Sequence, residues 1–320
     1  MSPQPERPQA LYYFLFFLSG ISALLYQVVW TKELALLFGV TAYAVCTTLA
    51  IFMLGLALGS WYLGPRADTT NRPGYWYAVL ELGIAATAGI SIVSLEALDG
   101  LIGLIGFSSS TSTPFTLFRL AAALAVLIVP TFLMGGTLPF LARQCIRSNK
   151  GIAKKLGTLY SVNVLGAMFG CLLAGFFAIP YLGVRGTLLT GVLINVAVSL
   201  ISFATMRSIQ TATDAAATLP EVPEDASGTL EPPTALTERL MLGAFFMAGF
   251  LGLAAEVVWT RMLLLYLDAT VQAFASVLAI YLLGLATGSL LSSKLAQRSN
   301  SLFSYGMAQL LTGLAIVVSF

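Results

Sequence analysis

Histidine is absent from this chain of 320 residues, and only 9% of its residues are charged. Without histidine, imidazole acid–base catalysis, histidine metal sites and Ser/His or Cys/His nucleophile pairs are excluded. Cysteine is also scarce, and Cys46, Cys145 and Cys171 include no close pair of the kind that binds zinc or exchanges disulfides. We therefore predict three buried, inert thiols and no metal or cofactor site.

The scarcity of charge is matched by an excess of apolar residues. Hydrophobic residues make up 58% of the chain, and the mean hydropathy is +0.89. A soluble domain carries about a quarter charged residues, so this composition indicates a membrane protein whose first partner is a lipid bilayer. The net charge of +2 does not favour nucleic acid as a partner.

Long apolar runs locate the membrane spans. A helix that crosses a bilayer needs about 20 mainly apolar residues, because its backbone groups must pair within the segment. The sequence predicts an all-α polytopic membrane protein with about nine transmembrane helices, at residues 11–31, 34–64, 75–95, 120–142, 156–184, 186–206, 240–260, 269–293 and 299–320.

Basic residues sort the connections by side. Lysine and arginine are concentrated after the second, fourth and eighth spans, and short loops rich in these residues are cytoplasmic. The amino terminus is therefore predicted to be cytoplasmic, in a bacterial inner membrane. Nine spans would leave Phe320 outside the cytoplasm or within the membrane, so we expect the natural chain to continue. Four tryptophans near span ends are predicted to form an aromatic belt: Trp30, Trp61, Trp76 and Trp259.

The sequence contains an internal repeat. Residues 16–39 reappear at 245–268, and residues 50–60 reappear at 279–289, both at a constant offset of 229. Six predicted spans separate the copies, so both copies cross in the same direction. Parallel repeats of six helices are the plan of major-facilitator transporters. The predicted domains are a first six-helix half at 1–206, a flexible acidic cytoplasmic linker at 207–239 and the start of a second half at 240–320.

Four glycine-rich stretches are distinctive: SGISALLYQVVWTKELALLFG, GLALGSWYLGPRAD, FLMGGTLPFLAR and LGTLYSVNVLGAMFGCLLAGFFAIPYLGVRGT. Together they resemble the membrane region of bacterial fused major-facilitator/spermidine-synthase-like proteins. The resemblance implies a polyamine aminopropyltransferase-like domain elsewhere in the natural protein, but these residues contain no nucleotide-binding pattern for one. Whether the protein is an enzyme is left open.

Two acidic residues lie inside predicted spans, where an ionisable group costs a few kcal/mol and is a candidate functional site. They are Glu81 and Glu256, and the repeat places Gln27 at the position of Glu256. With Asn163 they form the predicted substrate-binding set, suited to a cationic molecule such as a polyamine or to a coupling proton. The alternative is structural: Glu256 pairs with a basic residue or holds the bundle together while protonated, and Asn163 and Asn195 bind neighbouring helices.

Other features also allow two interpretations. Arg66, Asp68 and Arg72 lie in a stretch that resembles the gating loop of major facilitators, although a positively charged cytoplasmic loop needs no further role. Gly135, Gly136 and Pro139 interrupt the fourth span, either to line a cavity or to pack. Close helix contact is predicted for three glycine pairs: Gly55 and Gly59, Gly166 and Gly170, and Gly284 and Gly288.

Three functions follow from these features. The first is small-molecule transport or channelling, with a polyamine as the suggested substrate. The second is a membrane anchor for an aminopropyltransferase whose catalytic domain lies beyond residue 320. The third is a scaffold that binds other membrane subunits.

Overall fold

The computed structural model describes residues 7–39, 41–105, 113–146, 152–214, 235–266, 271–295 and 301–319. Within these ranges the chain is almost entirely helical and contains no strand. The helices are α1 (Arg7–Phe38), α2 (Thr41–Thr69), α3 (Pro73–Ile105), α4 (Thr113–Cys145), α5 (Ile152–Leu173), α6 (Ile179–Asp214), α7 (Ala235–Tyr266), α8 (Val271–Leu295) and α9 (Ser301–Ser319). A π-helical turn, Ala174–Ala178, joins α5 to α6.

Among the residues that the structure describes, seven helical segments are long and apolar enough to cross a membrane. They are Ala10–Phe38, Tyr43–Thr69, Pro73–Leu98, Thr113–Cys145, Lys154–Met206, Arg239–Met262 and Val271–Ser292. The prediction of an all-helical, multi-pass membrane protein is confirmed at this level. The count of nine spans and the parallel-repeat plan stay predictions.

The segment Lys154–Met206 is too long for one crossing. It has 53 residues, and a straight helix of that length would extend about 80 Å, against a hydrocarbon layer of about 30 Å. Two helices meet within it at Gly183, whose φ of +71° is a left-handed conformation that glycine adopts readily. Pro180 lies just after the π-helical turn and lacks the N–H of a regular helical hydrogen bond.

Contacts between side chains show that α1, α3 and α5 run in the same direction. The Phe16 ring packs edge-on against Tyr77, with centroids 6.5 Å apart, and further along both helices Trp30 Nε1 donates to Ser91 Oγ. On the other side of α1, Gly166 and Gly170 of α5 lie against successive turns of its backbone.

The even-numbered helices run the other way. Ser199 of α6 donates to the Ala78 carbonyl, whereas Arg185, earlier in α6, pairs with Glu96, later in α3. By the same kind of contact, α4 is antiparallel to α3 and parallel to α2, and α8 is antiparallel to α5. Helices α2 and α8 therefore have the same direction.

Glycines set the closest helix approaches. A Cβ atom on Gly55 would overlap the Thr131 side chain of α4, and one on Gly59 would overlap the Phe132 carbonyl. The predicted packing role of this pair is confirmed, as is that of Gly166 and Gly170 against α1. A Cβ atom on Gly284 or Gly288 of α8 would meet no other helix within 4 Å among the described residues.

Helix α4 is continuous where an interruption was predicted. It runs unbroken through Gly135, Gly136 and Pro139. The backbone of α2 at Leu56 lies directly against Gly135, and the Leu63 side chain lies against Gly136. The glycines therefore serve packing between α2 and α4.

Two predictions about individual side chains are corrected. Trp30 is 0% exposed and lies in the core, not in an aromatic belt, whereas Trp61 is 76% exposed. Cys145 and Cys171 are buried as predicted, but Cys46 is exposed. Trp30 turns inward because its indole N–H finds a partner on α3.

Helix ends also differ from the predicted boundaries. Helix α1 continues past residue 31 to Phe38, and Gly39, with a φ of +69°, terminates it by donating to the Ala35 carbonyl. At the predicted linker, α6 extends to Asp214 and α7 begins at Ala235. The remainder of the linker, residues 215–234, lies outside the described residues.

Candidate functional site

Glu81 is enclosed where α1 and α6 pack against α3. Its side chain is 0% exposed. The Asn195 amide of α6 donates a hydrogen bond from Nδ2 to the carboxylate oxygen Oε2. The other oxygen, Oε1, has no hydrogen-bond partner among the described residues. An ionisable group thus lies at the centre of a three-helix contact with one of its oxygens unsatisfied.

A chain of side chains extends from this carboxyl group. Tyr26 Oη donates to Asn195 Oδ1 at 2.8 Å, which orients the amide nitrogen toward Glu81. The Tyr26 ring stacks on Trp30, with centroids 5.6 Å apart. Trp30 Nε1 in turn donates to Ser91 Oγ at 2.9 Å. The network therefore joins α1, α3 and α6 at two levels of the bundle.

Two hydroxyl groups complete the surroundings of Glu81. Ser19 of α1 and Tyr77 of α3 lie beside the carboxyl group, and both residues are buried. Hydroxyl groups can donate or accept a hydrogen bond. The site can therefore adapt to a carboxylate or to a neutral acid.

Glu256 lies at a different contact, between α5, α7 and α8. It is 3% exposed and lies near the Cys171 thiol of α5 and the Tyr281 hydroxyl of α8. The thiol donates to the Ala275 carbonyl of α8 at 3.3 Å. The two buried carboxyl groups thus have different neighbours, from different helices.

The other two residues of the predicted substrate set take part in hydrogen bonds with other residues of the bundle. Gln27 is buried on α1, and its backbone carbonyl accepts a hydrogen bond from Thr31 Oγ1. Asn163 Nδ2 donates to the Phe16 carbonyl of α1 at 2.9 Å, which is the packing role given as the alternative. Their assignment to substrate binding stays a prediction.

The predicted gating residues surround the end of α2. Arg66 and Asp68 belong to the last turns of the helix, and Arg72 follows it. The Arg66 guanidinium lies 3.6 Å from the centroid of the Tyr62 ring and donates to the Tyr62 carbonyl. Arg66 is therefore held by its own helix, and a gating role for the set stays a prediction.

Sequence reasoning identified the acids and Asn195, but not the hydroxyl groups around Glu81. Tyr26, Tyr77 and Ser19 were missed because a hydroxyl group in an apolar run resembles ordinary core packing. The Arg185–Glu96 ion pair, at 2.6 Å, was also missed. One signal was available for Tyr26: it precedes Trp30 by four residues and so shares its helix face.

Comparisons with protein families, curated proteins and solved structures give no match. The chemistry is therefore argued from the side chains themselves. Enclosed carboxyl groups flanked by amide and hydroxyl groups bind cations or protons, since these groups supply oxygen ligands and adaptable hydrogen bonds.

Proposed function

We propose that this chain is the membrane region of a transporter for a small organic cation, with polyamines as the substrate class. The observation that carries the proposal is the enclosure of Glu81 and Glu256 inside the helical bundle. Acidic residues within membrane segments are rare and usually mark substrate, ion or proton pathways. A polyamine offers the positive charge that these residues would bind.

The proposed architecture is a parallel repeat of the major-facilitator type, similar to that of fused spermidine-synthase-like proteins. Two observations support it. Helices α2 and α8 have the same direction, and the break at Gly183 allows Lys154–Met206 to supply two of nine spans. We further propose a bacterial inner membrane and a cytoplasmic amino terminus, in accord with the basic loops.

Glu256 is the proposed substrate ligand, because it lies where α5 meets α7 and α8, at the boundary between the two proposed halves. The packing of α5 against α8 is the main contact between α1–α6 and α7–α8. A cation bound at Glu256 would therefore touch helices of both halves. Relative movement at this contact would open the site to one side or the other, as alternating access requires.

Uptake of labelled spermidine or putrescine into proteoliposomes tests the proposal. Glu256→Gln should lower uptake about tenfold or more, since a hydrogen bond to a charged group contributes about 1.5–3 kcal/mol. Glu96→Gln is the matched control and should transport normally, because Glu96 is exposed and paired with Arg185. Equal uptake by wild type and Glu256→Gln, or none above protein-free vesicles, would contradict the proposal.

A second candidate function is a scaffold for other membrane subunits. The outward face of α8 at Gly284 and Gly288 favours it, because such faces allow close helix contact. Stable copurification of a defined membrane subunit, lost in Gly288→Leu and accompanied by no flux, would support the scaffold over transport.

A further inference from the structure

The surroundings of Glu81 differ from those of an ordinary buried ion pair. The described residues place no basic side chain beside it, and its one fixed donor is the Asn195 amide. An ionised carboxylate with a single fixed donor is costly in a water-poor interior. The neutral acid suits this geometry, because a protonated carboxyl group can donate a hydrogen bond to a neighbouring hydroxyl group.

The same neighbours can also hold the ionised form. If Ser19 and Tyr77 turn their hydroxyl hydrogens toward Oε1, the carboxylate gains the donors it lacks. Asn195 need not move, because Tyr26 holds its amide oxygen and directs Nδ2 to Glu81 in either state. Release of the proton to water thus requires the hydroxyl groups of Ser19 and Tyr77 to rotate and the contact of α1 and α6 with α3 to open, since Glu81 is fully buried.

The titratable groups around Glu81 come from two helices. Tyr26 of α1 and Tyr77 of α3 are close enough to sense its charge. Helix α6 contributes Asn195, which does not titrate, and Cys145 of α4 lies near Tyr77. A change of charge at Glu81 therefore acts first on the hydroxyl groups of these tyrosines.

The two copies of the internal repeat share helix-packing residues but differ at two residues of this cluster. At the offset of 229 residues, Trp30 is matched by Trp259, but Tyr26 is matched by Ala255 and Ser19 by Ala248. The glycines of α2 recur in α8, whereas Ser19 and Tyr26 do not recur in α7. The contribution of α1 to the cluster is therefore particular to the first copy.

We propose that Glu81 is a proton-binding site that takes up and releases one proton between α1, α3 and α6, with Ser19 and Tyr77 serving both protonation states. Proton binding stands on this geometry. Its use as the coupling step of cation transport rests on the proposed function.

Infrared difference spectroscopy tests the site directly. The full chain is reconstituted in vesicles of phosphatidylcholine and phosphatidylglycerol, and spectra are compared between acidic and alkaline pH. We expect a protonated-carboxyl C=O band that is lost as the pH rises and is missing in Glu81→Gln. Glu256→Gln is the control and should keep this band.

A second variant keeps the test valid if Glu81→Gln fails to fold. Tyr77→Phe removes one hydroxyl partner and should shift both the frequency of the band and the pH at which it disappears. A band that is unchanged in Glu81→Gln, or that persists at every pH, would overturn the proposal. Absence of polyamine uptake by the wild-type protein, with an intact Glu81 band, would contradict the transport function alone.

Discussion

Helices α2 and α8 share a sequence pattern but bury different faces against their neighbours. In α2, Gly59 packs against α4 while Cys46 faces outward. In α8, the equivalent Gly288 is open, and Ala275, equivalent to Cys46, is buried against α5. The repeated sequence therefore encodes a helix with two usable faces, and the neighbouring helices determine which one is buried.

The preceding helices of the two copies show the same contrast. In the span Ala10–Phe38, which includes most of α1, 72% of an apolar 18-residue stretch is buried. The corresponding share is 11% for Arg239–Met262 in α7. Both contain the same tryptophan-centred motif. Helix α1 is central because α2, α5 and α6 all pack on it. Sequence similarity between repeats thus predicts helix formation and not burial.

The largest expected effect is at the glycines. Gly59→Leu should cost about 3 kcal/mol or more, because the new side chain collides with the backbone of α4. Gly288→Leu should change stability by less than about 0.5 kcal/mol, since its face is open. Thermal unfolding in detergent, read by circular dichroism, measures both. Equal losses would show that the α8 face is covered in the whole protein.

A smaller effect is expected in the hydrogen-bond network around Glu81. Asn195→Leu should destabilise the protein by about 1–2 kcal/mol, because Glu81 and Tyr26 both lose their partner. The control is the same change in a Glu81→Leu background, measured by the same unfolding assay. If the two polar groups are coupled, the loss in that background is smaller; an equal loss would show that they are independent.

The smallest effect on stability is expected at the cysteines, where chemical labelling of the thiols provides the measurement. A membrane-permeable maleimide should modify Cys46 and leave buried Cys145 and Cys171 unmodified. The matched variant places the thiol at the equivalent position of α8, as Ala275→Cys in a Cys46→Ala background. It should resist labelling, and mass spectrometry of the intact protein counts the adducts. Equal labelling at both positions would contradict the opposite burial of the two helices.

The membrane helices could be predicted from sequence because each apolar run imposes the same constraint. Backbone groups in lipid must pair internally, so composition alone locates the spans. Their ends were less predictable. Helix α1 passes through Lys32 and Glu33 before Gly39 stops it, since helix formation does not end where hydropathy falls.

The candidate site was predicted only in part. Glu81 and Glu256 stand out as single charges in apolar runs. Their partners depend on the rotation of each helix and on which helices meet, and neither follows from one span alone. Asn195 was recognised as a residue that binds another helix, but its partners Glu81 and Tyr26 lie 114 and 169 positions away.

The joint at Gly183 also bears on how the chain is made. Because the two helical segments of Lys154–Met206 run in opposite directions and are separated by a single non-helical residue, the insertion machinery receives them without a polar loop between them. They should enter the bilayer together as a helical hairpin, with Arg185 near its tip. Glu96 is synthesised 89 residues earlier and is then already in place to pair with Arg185. The acidic partner of the ion pair is therefore made before the basic one.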